Sequence, residues 1–340
     1  MEKSPLRLVA DGLVVIFLLG LILRLSKPVL FPFFMAIFLY YLFSPLHDLA
    51  IRLKIPRPLA LIILILFAFM LLYFIGVIVY TSGKALATKL PSYGGQLDEF
   101  IRWLQSTLEK RGIAERISFL EALNININRL AGFILSSLGT FFSFLTKLLL
   151  ILVFLFFMLA GRGKLKINIL KSLDSNRAEN VSRVLDKIDM EIQKYLVIKS
   201  FISLLSGGVE ALVLIIFGVD FALMFGLIAF FLNFIPSIGS IVAILLPSIY
   251  AILQFGSLGR AIWILLLLSG TDFIVANILE PKIMGKGLGL SPLAVLFFLF
   301  FWGWLWGIPG MILAVPILAT IKIVADHFPS WRLISALLGR

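Results

Sequence analysis

The sequence has 340 residues, of which 61% are hydrophobic and only 14% charged, and it contains no cysteine. Soluble domains carry about 25% charged residues, so a soluble fold could not bury this much apolar surface, and lipid must be part of the solvent. The lack of cysteine excludes disulfides, Cys-ligated zinc and cysteine nucleophiles. The formal net charge of +12 is typical of Lys and Arg gathered in cytoplasmic loops facing anionic lipid, and no stretch indicates nucleic-acid binding.

The first apolar segment, residues 8–25, has a basic flank at Lys3 and Arg7, as a signal peptide would. No small-residue cleavage site follows, so we expect a retained first helix. Residues 59–80 contain no charge, and about 20 such residues cross a bilayer core. The whole chain, 1–340, is therefore predicted to be one all-α integral membrane domain with about seven or eight spans. The other apolar segments are 28–43, 133–160, 195–217, 221–235, 238–254, 260–280 and 292–324.

Two polar stretches interrupt these segments. Residues 84–130 space their charges among Leu, Ile and Phe, which predicts amphipathic helices near an interface. Residues 161–194 are basic and also helical in pattern. Lys and Arg are denser in 161–199 and 45–58 than in 81–132. This bias predicts a protein of the cell (inner) membrane with 161–194 and both termini in the cytoplasm and 84–130 outside.

The C-terminal half is broken twice where Pro lies close to Gly. Pro removes a backbone donor and Gly frees the backbone, and in lipid such backbone is tolerated only inside protein or along a cavity. Residues 292–324 exceed a 30 Å core by about half, so we predict a re-entrant hairpin there. For both breaks, ordinary Pro-kinked helices are the alternative. Paired breaks point to a transport site and place the transport core at 195–325. The candidate residues are Asn233, Pro236, Ser237 and Gly239 in the first break, and Gly307, Pro309 and Gly310 in the second.

Acidic residues inside apolar segments are costly and usually functional. Glu210 follows a Gly-Gly pair, whereas Asp272, Asn277 and Glu280 share one segment. At 100° per residue, Asp272 and Glu280 differ by about 80° around a helix. We therefore predict a polar stripe of these three residues that faces the interior and binds H⁺ or Na⁺. For Glu280 the alternative is an interfacial pairing with a lysine. The series of Trp302, Trp304 and Trp306 favours an interfacial belt, with the lining of a cavity as the alternative.

Enzyme signatures are absent from the sequence. It contains no HExxH zinc motif, no GxSxG elbow and no GxxxxGK[ST] phosphate loop, and its only histidines are His47 and His327. We expect no catalytic residue, no metal site and no cofactor beyond a coupling ion. A gradient-driven secondary transporter is the first hypothesis. An uncoupled channel or facilitator, and a scaffold that binds partners through its polar stretches, are the alternatives.

Three stretches carry a resemblance to a known family. They are NFIPSIGSIVAILLPSIYAIL at 233–253, LEPKIMG at 279–285, and the Ser-Pro-Leu turn at 291–293 that leads to GIPGMILAVPILATIK at 307–322. In these the sequence resembles the AI-2E (autoinducer-2 exporter) transporters. The resemblance implies a multi-span carrier that assembles as a homo-oligomer and either exports a small polar solute, such as a quorum-sensing furanone, or exchanges Na⁺ and H⁺ by antiport.

Overall fold

The computed structural model describes Leu18 and residues 20–96, 99, 102, 103, 106, 110, 127–139, 141–285, 288–328 and 331–339. These residues are almost entirely helical, and no named strand occurs among them. The predicted all-α class is therefore confirmed. Residues 8–17 of the first predicted helix, and most of residues 97–126 in the predicted amphipathic stretch, lie outside the described residues.

The described helices are numbered here in chain order. They are α1 (Lys27–Arg52), α2 (Arg57–Lys89), α3 (Ile127–Leu138), α4 (Phe141–Ala160), α5 (Lys164–Lys171), α6 (Ser175–Ile216), α7 (Ala222–Leu232), α8 (Ile238–Phe255), α9 (Leu258–Ile274), α10 (Glu280–Met284), α11 (Pro292–Trp306), α12 (Ile308–His327) and α13 (Arg332–Leu338). A 3₁₀ turn at Leu90–Tyr93 follows α2, and a π-helical turn at Val275–Leu279 joins α9 to α10. Among the described residues, seven helical stretches are long and apolar enough to cross a membrane, and α7 and α11 are shorter apolar helices. The chain is a polytopic helix bundle, as predicted.

Helix α6 joins two stretches that differ in composition. It contains 42 residues and is therefore about 63 Å long, roughly twice the thickness of a bilayer core. The polar residues 175–194 and the apolar residues from 195 onward belong to this one helix. The predicted boundary near residue 195 thus falls inside a helix and not at a turn.

The chain forms two compact units. Unit 1 comprises Met1–Phe69, Lys147–Ile198 and Met284–Arg340, and unit 2 comprises Met70–Thr146 and Lys199–Ile283. Each unit contains one of the two predicted breaks, between two packed apolar helices. We call α7–α8, in unit 2, the first hairpin, and α11–α12, in unit 1, the second hairpin.

The first hairpin is closed at both ends. At its base, Asp220 N donates to Gln254 Oε1 at 2.9 Å, and Gln254 Nε2 donates to the Gly218 carbonyl at 2.9 Å. At its tip, Gly239 lies so close to the carbonyl oxygen of Leu232 that a Cβ there would overlap it. The break predicted at 233–240 is therefore confirmed as the turn of a helical hairpin.

The second hairpin turns at Gly307. At its base, Ser291 N, just before α11, donates to the Leu338 carbonyl at the end of α13 at 2.9 Å. At the tip, Gly310 packs against the carbonyl of Trp302. Helix α11 has 15 residues and rises about 22 Å, less than a core of about 30 Å. This length agrees with the predicted re-entrant hairpin.

The predicted tryptophan belt does not form. Trp302 and Trp306 are buried, with ring centroids 6.5 Å and 5.2 Å from the ring of Phe34, and only Trp304 is exposed. Trp306 Nε1 also donates to the Leu23 carbonyl at 3.2 Å. Residues four apart share a helix face, whereas residues two apart do not, so the three rings could not form one surface.

Candidate functional site

One face of α6 carries polar side chains through an apolar part of the helix. Lys199, Ser203, Ser206 and Glu210 follow each other at spacings of four, three and four, which places them along one side of the helix. Ser203 is fully buried and Glu210 is only 6% exposed. Gly207 lies on the same stretch and packs on Gly226 of α7, so the two helices approach closely beside these groups.

The tip of the first hairpin has an unusual backbone. Ser237 has φ 61° and ψ −52°, and Ile238 N donates to the Pro236 carbonyl at 2.7 Å. These values describe a γ-turn with positive φ, which is rare and strained. Strain of this kind persists only where its surroundings hold it, and it is concentrated at functional sites. Pro236 and Ser237 themselves are exposed, whereas Gly239 is buried.

Side chains on either side of this turn bind two neighbouring helices. Asn233 Nδ2 donates to Ser203 Oγ of α6 at 3.0 Å. Ser240 Oγ donates to Asp272 Oδ1 of α9 at 3.0 Å. The broken helix therefore positions one amide and one hydroxyl between α6 and α9.

These groups line a small cavity inside unit 2. Its volume is about 10 Å³, which is room for about one water-sized sphere. Glu210 Oε1 is buried there and has no hydrogen-bond partner among the described residues. The cavity thus brings two carboxyl groups together with hydroxyl and amide oxygens. Its lining residues are Ser206, Glu210, Ala229, Asn233, Ser240, Ala243, Leu268, Thr271 and Asp272.

Glu280 lies in a separate ion pair. Lys199 Nζ donates to its two carboxylate oxygens at 2.7 Å and 2.8 Å, and the two side chains are 8% and 23% exposed. Glu280 therefore pairs with a lysine, as the alternative prediction stated. That lysine lies on α6 and is not the neighbouring Lys282. Because Lys199 forms its ion pair with Glu280, it is not the ion-pair partner of Glu210.

The predicted stripe of Asp272, Asn277 and Glu280 is wrong as a shared surface. Asn277 is exposed and its Nδ2 donates to the Phe273 carbonyl of its own helix at 3.1 Å. Five residues beyond Asp272, it would lie about 140° away around even a regular α-helix, and it falls in the π-helical turn at Val275–Leu279. Of the three residues, only Asp272 reaches the cavity.

The candidates of the second break lie in unit 1 and build the turn of the second hairpin. Gly307 has φ 76° and ψ −152°, a conformation that is essentially restricted to glycine. Pro309 occupies the first turn of α12, where its missing N–H costs nothing. Gly310 is buried against α11. Convergence of this turn with the first one at a single site stays a prediction.

Sequence reasoning missed three polar residues near the first hairpin. Ser206 and Thr271 line the cavity, and Ser203 holds Asn233. The spacing of Ser203 and Ser206 with Glu210 was the available signal, because three polar residues on one face of an apolar helix indicate a buried polar surface.

Comparison with known proteins identifies the family. The sequence model of the family described as AI-2E family transporter matches residues 12–330. The chain belongs to the AI-2E transporter family. It is 32% identical to the AI-2 transport protein TqsA of Escherichia coli (strain K12) over 328 residues, which cover 96% of this chain and 94% of that protein.

Two further relatives are assigned to transport without a named substrate. One, from Borreliella burgdorferi, is 30% identical over 93% of this chain and 86% of its own length. Another, from Haemophilus influenzae, is 28% identical over 96% of this chain and 94% of its own length. The names of the family and of these relatives indicate transport proteins. With its apolar helices, the chain is therefore a multi-pass membrane transporter.

Proposed function

We propose that this chain is a secondary transporter whose coupling ion, H⁺ or Na⁺, binds between Glu210 and Asp272 in unit 2. The observation that carries the proposal is the buried, unpartnered carboxyl oxygen of Glu210 in a cavity that also contains Asp272. A buried carboxylate is costly unless it takes up a proton or faces a cation. Either ion would satisfy Glu210, and its release would restore the cost.

The other lining groups support the same ion classes. All of the polar groups that face the cavity can offer oxygen atoms, from carboxyl, hydroxyl and amide groups. Oxygen ligands suit hard cations. A volume of about 10 Å³ admits one water-sized ligand and no organic solute, which favours an ion over the transported solute at this position.

The solute that we propose is small and polar. The name of the Escherichia coli relative gives AI-2 as its transported solute, and we propose AI-2 or a chemically similar solute, moved outward, for this chain. Exchange of Na⁺ for H⁺ is the second candidate, favoured by the pair of carboxyl groups. Broken helices beside an ion site are typical of gradient-driven transporters. We further propose a homo-oligomer in the inner cell membrane, with both termini in the cytoplasm.

The test uses the full-length protein in proteoliposomes containing a pH-sensitive dye. We expect an imposed Na⁺ gradient to move protons, or an imposed Na⁺ or pH gradient to drive AI-2 uphill. Glu210→Gln keeps the shape but removes the charge, so we expect it to lower the driven rate at least about tenfold. The matched control is Glu179→Gln on the same helix, because Glu179 is 74% exposed in its side chain and should leave the rate unchanged.

Three results would contradict this proposal in different ways. Downhill movement of AI-2 that no gradient can drive uphill would identify a channel or facilitator. If neither Na⁺, H⁺ nor AI-2 moves above the rate of protein-free liposomes, the scaffold hypothesis is favoured. Equal loss in Glu210→Gln and Glu179→Gln would remove the cavity from the coupling mechanism.

A further inference from the structure

Unit 1 contains a second and much larger cavity. Its volume is about 760 Å³, and residues of α1, α4, α5 and α6 line it. This size falls in the range of sites for organic ligands, in contrast to the small cavity of unit 2. Nothing in the proposed ion coupling makes use of it.

The cavity has one apolar end and one polar end. Phe33 of α1 contacts Phe154 of α4, with ring centroids 5.5 Å apart. Eleven residues further along α1, the Ser44 carbonyl accepts from Arg162 Nη1, just beyond α4, at 3.3 Å. The two helices therefore run in the same direction, and both change from phenylalanine to polar residues along the cavity. Eleven residues of helix rise about 16 Å, which is enough for a polar head group and the upper part of an acyl chain.

The polar end is rich in cations. Arg162, Lys164 and Lys166 line it. Arg162 binds both oxygens of Asp48, at 2.7 Å and 3.0 Å, and Lys166 binds Asp186. Neither acid is among the lining residues. Lys164 is exposed and has no carboxylate partner within the part of the chain that the structure describes. One cation at this end is thus available to an anion.

One carboxylate also lines the polar end. Asp189 accepts from Tyr41 Oη at 2.8 Å, and a carboxylate has about four acceptor positions. The Asp189 carboxylate would repel an anionic group placed next to it. A hydroxyl group of the ligand could instead donate a hydrogen bond to Asp189. The polar end therefore fits a molecule with an anionic group for Lys164 and a hydroxyl group for Asp189.

We propose that this cavity binds an anionic phospholipid of the phosphatidylglycerol type. Its phosphodiester would lie at Lys164, its head-group hydroxyls at Asp189, and an acyl chain along Phe33, Phe154 and Phe157. A free phosphate would leave the apolar end uncovered. In a zwitterionic lipid the phosphate is neutralised by the lipid's own amine. Basic pockets between membrane helices bind anionic head groups in this way.

The experiment compares the binding of two lipids and the effect of substituting each of two lysines. The full-length protein is stripped of lipid in detergent, and binding of phosphatidylglycerol and of phosphatidylcholine with the same acyl chains is measured by native mass spectrometry and by the shift in thermal midpoint. We expect phosphatidylglycerol to bind more tightly than phosphatidylcholine. Its affinity should fall as the salt concentration rises, because salt screens charge interactions. Lys164→Gln should weaken its binding about fivefold. Lys171→Gln, on the same helix but outside the cavity lining, should leave the affinity unchanged.

Three outcomes would overturn the proposal. Equal binding of the two lipids would show that the cavity does not select charge. Equal weakening by Lys164→Gln and Lys171→Gln would show general attraction to a basic surface. Binding of glycerol phosphate as tight as that of the intact lipid would show a site for a free anion, with no contribution from the phenylalanine wall.

Discussion

The two hairpins turn in a similar way although they lie in different units. Each turn contains a residue with positive φ, Ser237 in the first and Gly307 in the second. Shortly after it, a glycine packs against a backbone carbonyl of the preceding helix, at Gly239 and Gly310. Each turn also contains an Ile-Pro pair. The shared chemistry is that of a tight return between two apolar helices.

The difference lies in the residue that follows the packed glycine. In the first hairpin it is Ser240, which donates to Asp272. In the second it is Met311, whose side chain covers Gly303 of the facing helix. A break in an apolar helix therefore does not make a polar site by itself. The side chains next to the break decide whether the turn faces carboxyl groups or completes an apolar core.

The largest loss of stability is expected at the packed glycine that both hairpins share. Gly239→Val and Gly310→Val would each drive a side chain into a backbone carbonyl, which cannot yield as a flexible side chain can. We expect each to lower the free energy of unfolding by about 3 kcal/mol or more. The thermal midpoint in detergent, with size-exclusion chromatography to detect aggregation, measures the loss.

Gly270→Ala is the control for both glycines. Gly270 lies within α9, and a Cβ there meets no atom within 4 Å, so we expect a small gain in stability. If only one of the two Val variants is unstable, the hairpins are not equivalent in their packing.

A smaller effect should separate the hairpins. Met311→Ala removes apolar contacts in a half-buried position and should cost about 1–2 kcal/mol without changing the ion dependence of transport. Ser240→Ala removes one hydrogen bond, worth about 1 kcal/mol, but frees Asp272. We expect it to change the Na⁺ or H⁺ concentration that gives the half-maximal rate in proteoliposomes. The same ion dependence in both variants would contradict the assignment of the first hairpin to coupling.

Two backbone substitutions, one in each turn, should have small effects of opposite sign. Ser237→Gly relieves a strained turn, so we expect a gain of about 1 kcal/mol. Gly307→Ala imposes strain at a position where a Cβ meets no atom within 4 Å, so we expect a loss of about 1–2 kcal/mol through the backbone alone. Chemical or thermal unfolding in detergent measures both. A loss in Ser237→Gly would mean that its turn is not strained.

Several features could be predicted from local sequence. Apolar runs indicated the spans, because lipid requires about 20 apolar residues per crossing. Pro and Gly indicated both breaks, because each acts on its own backbone. Glu210 and Asp272 stood out as carboxyl groups in apolar surroundings, and the structure places both at one cavity.

Other features depended on neighbours that are distant in sequence. The stripe of Asp272, Asn277 and Glu280 failed because Asn277 bonds to its own helix and Glu280 pairs with a lysine of α6. The pairing of Glu280 with Lys199 joins residues 81 positions apart. No periodicity within one segment can report such a contact, since it depends on which helices pack together.

The sequence by itself determined that this protein is a helical membrane protein, where its helices break and which acidic residues lie in apolar segments. These properties follow from the cost of exposing polar groups to lipid, which acts on each segment separately. Only the tertiary structure decided that the first break faces Glu210 and Asp272 while the second faces tryptophan, and that a large amphipathic cavity lies among α1, α4, α5 and α6. These outcomes depend on helix packing, in which small residues and side-chain contacts from distant segments choose the neighbours.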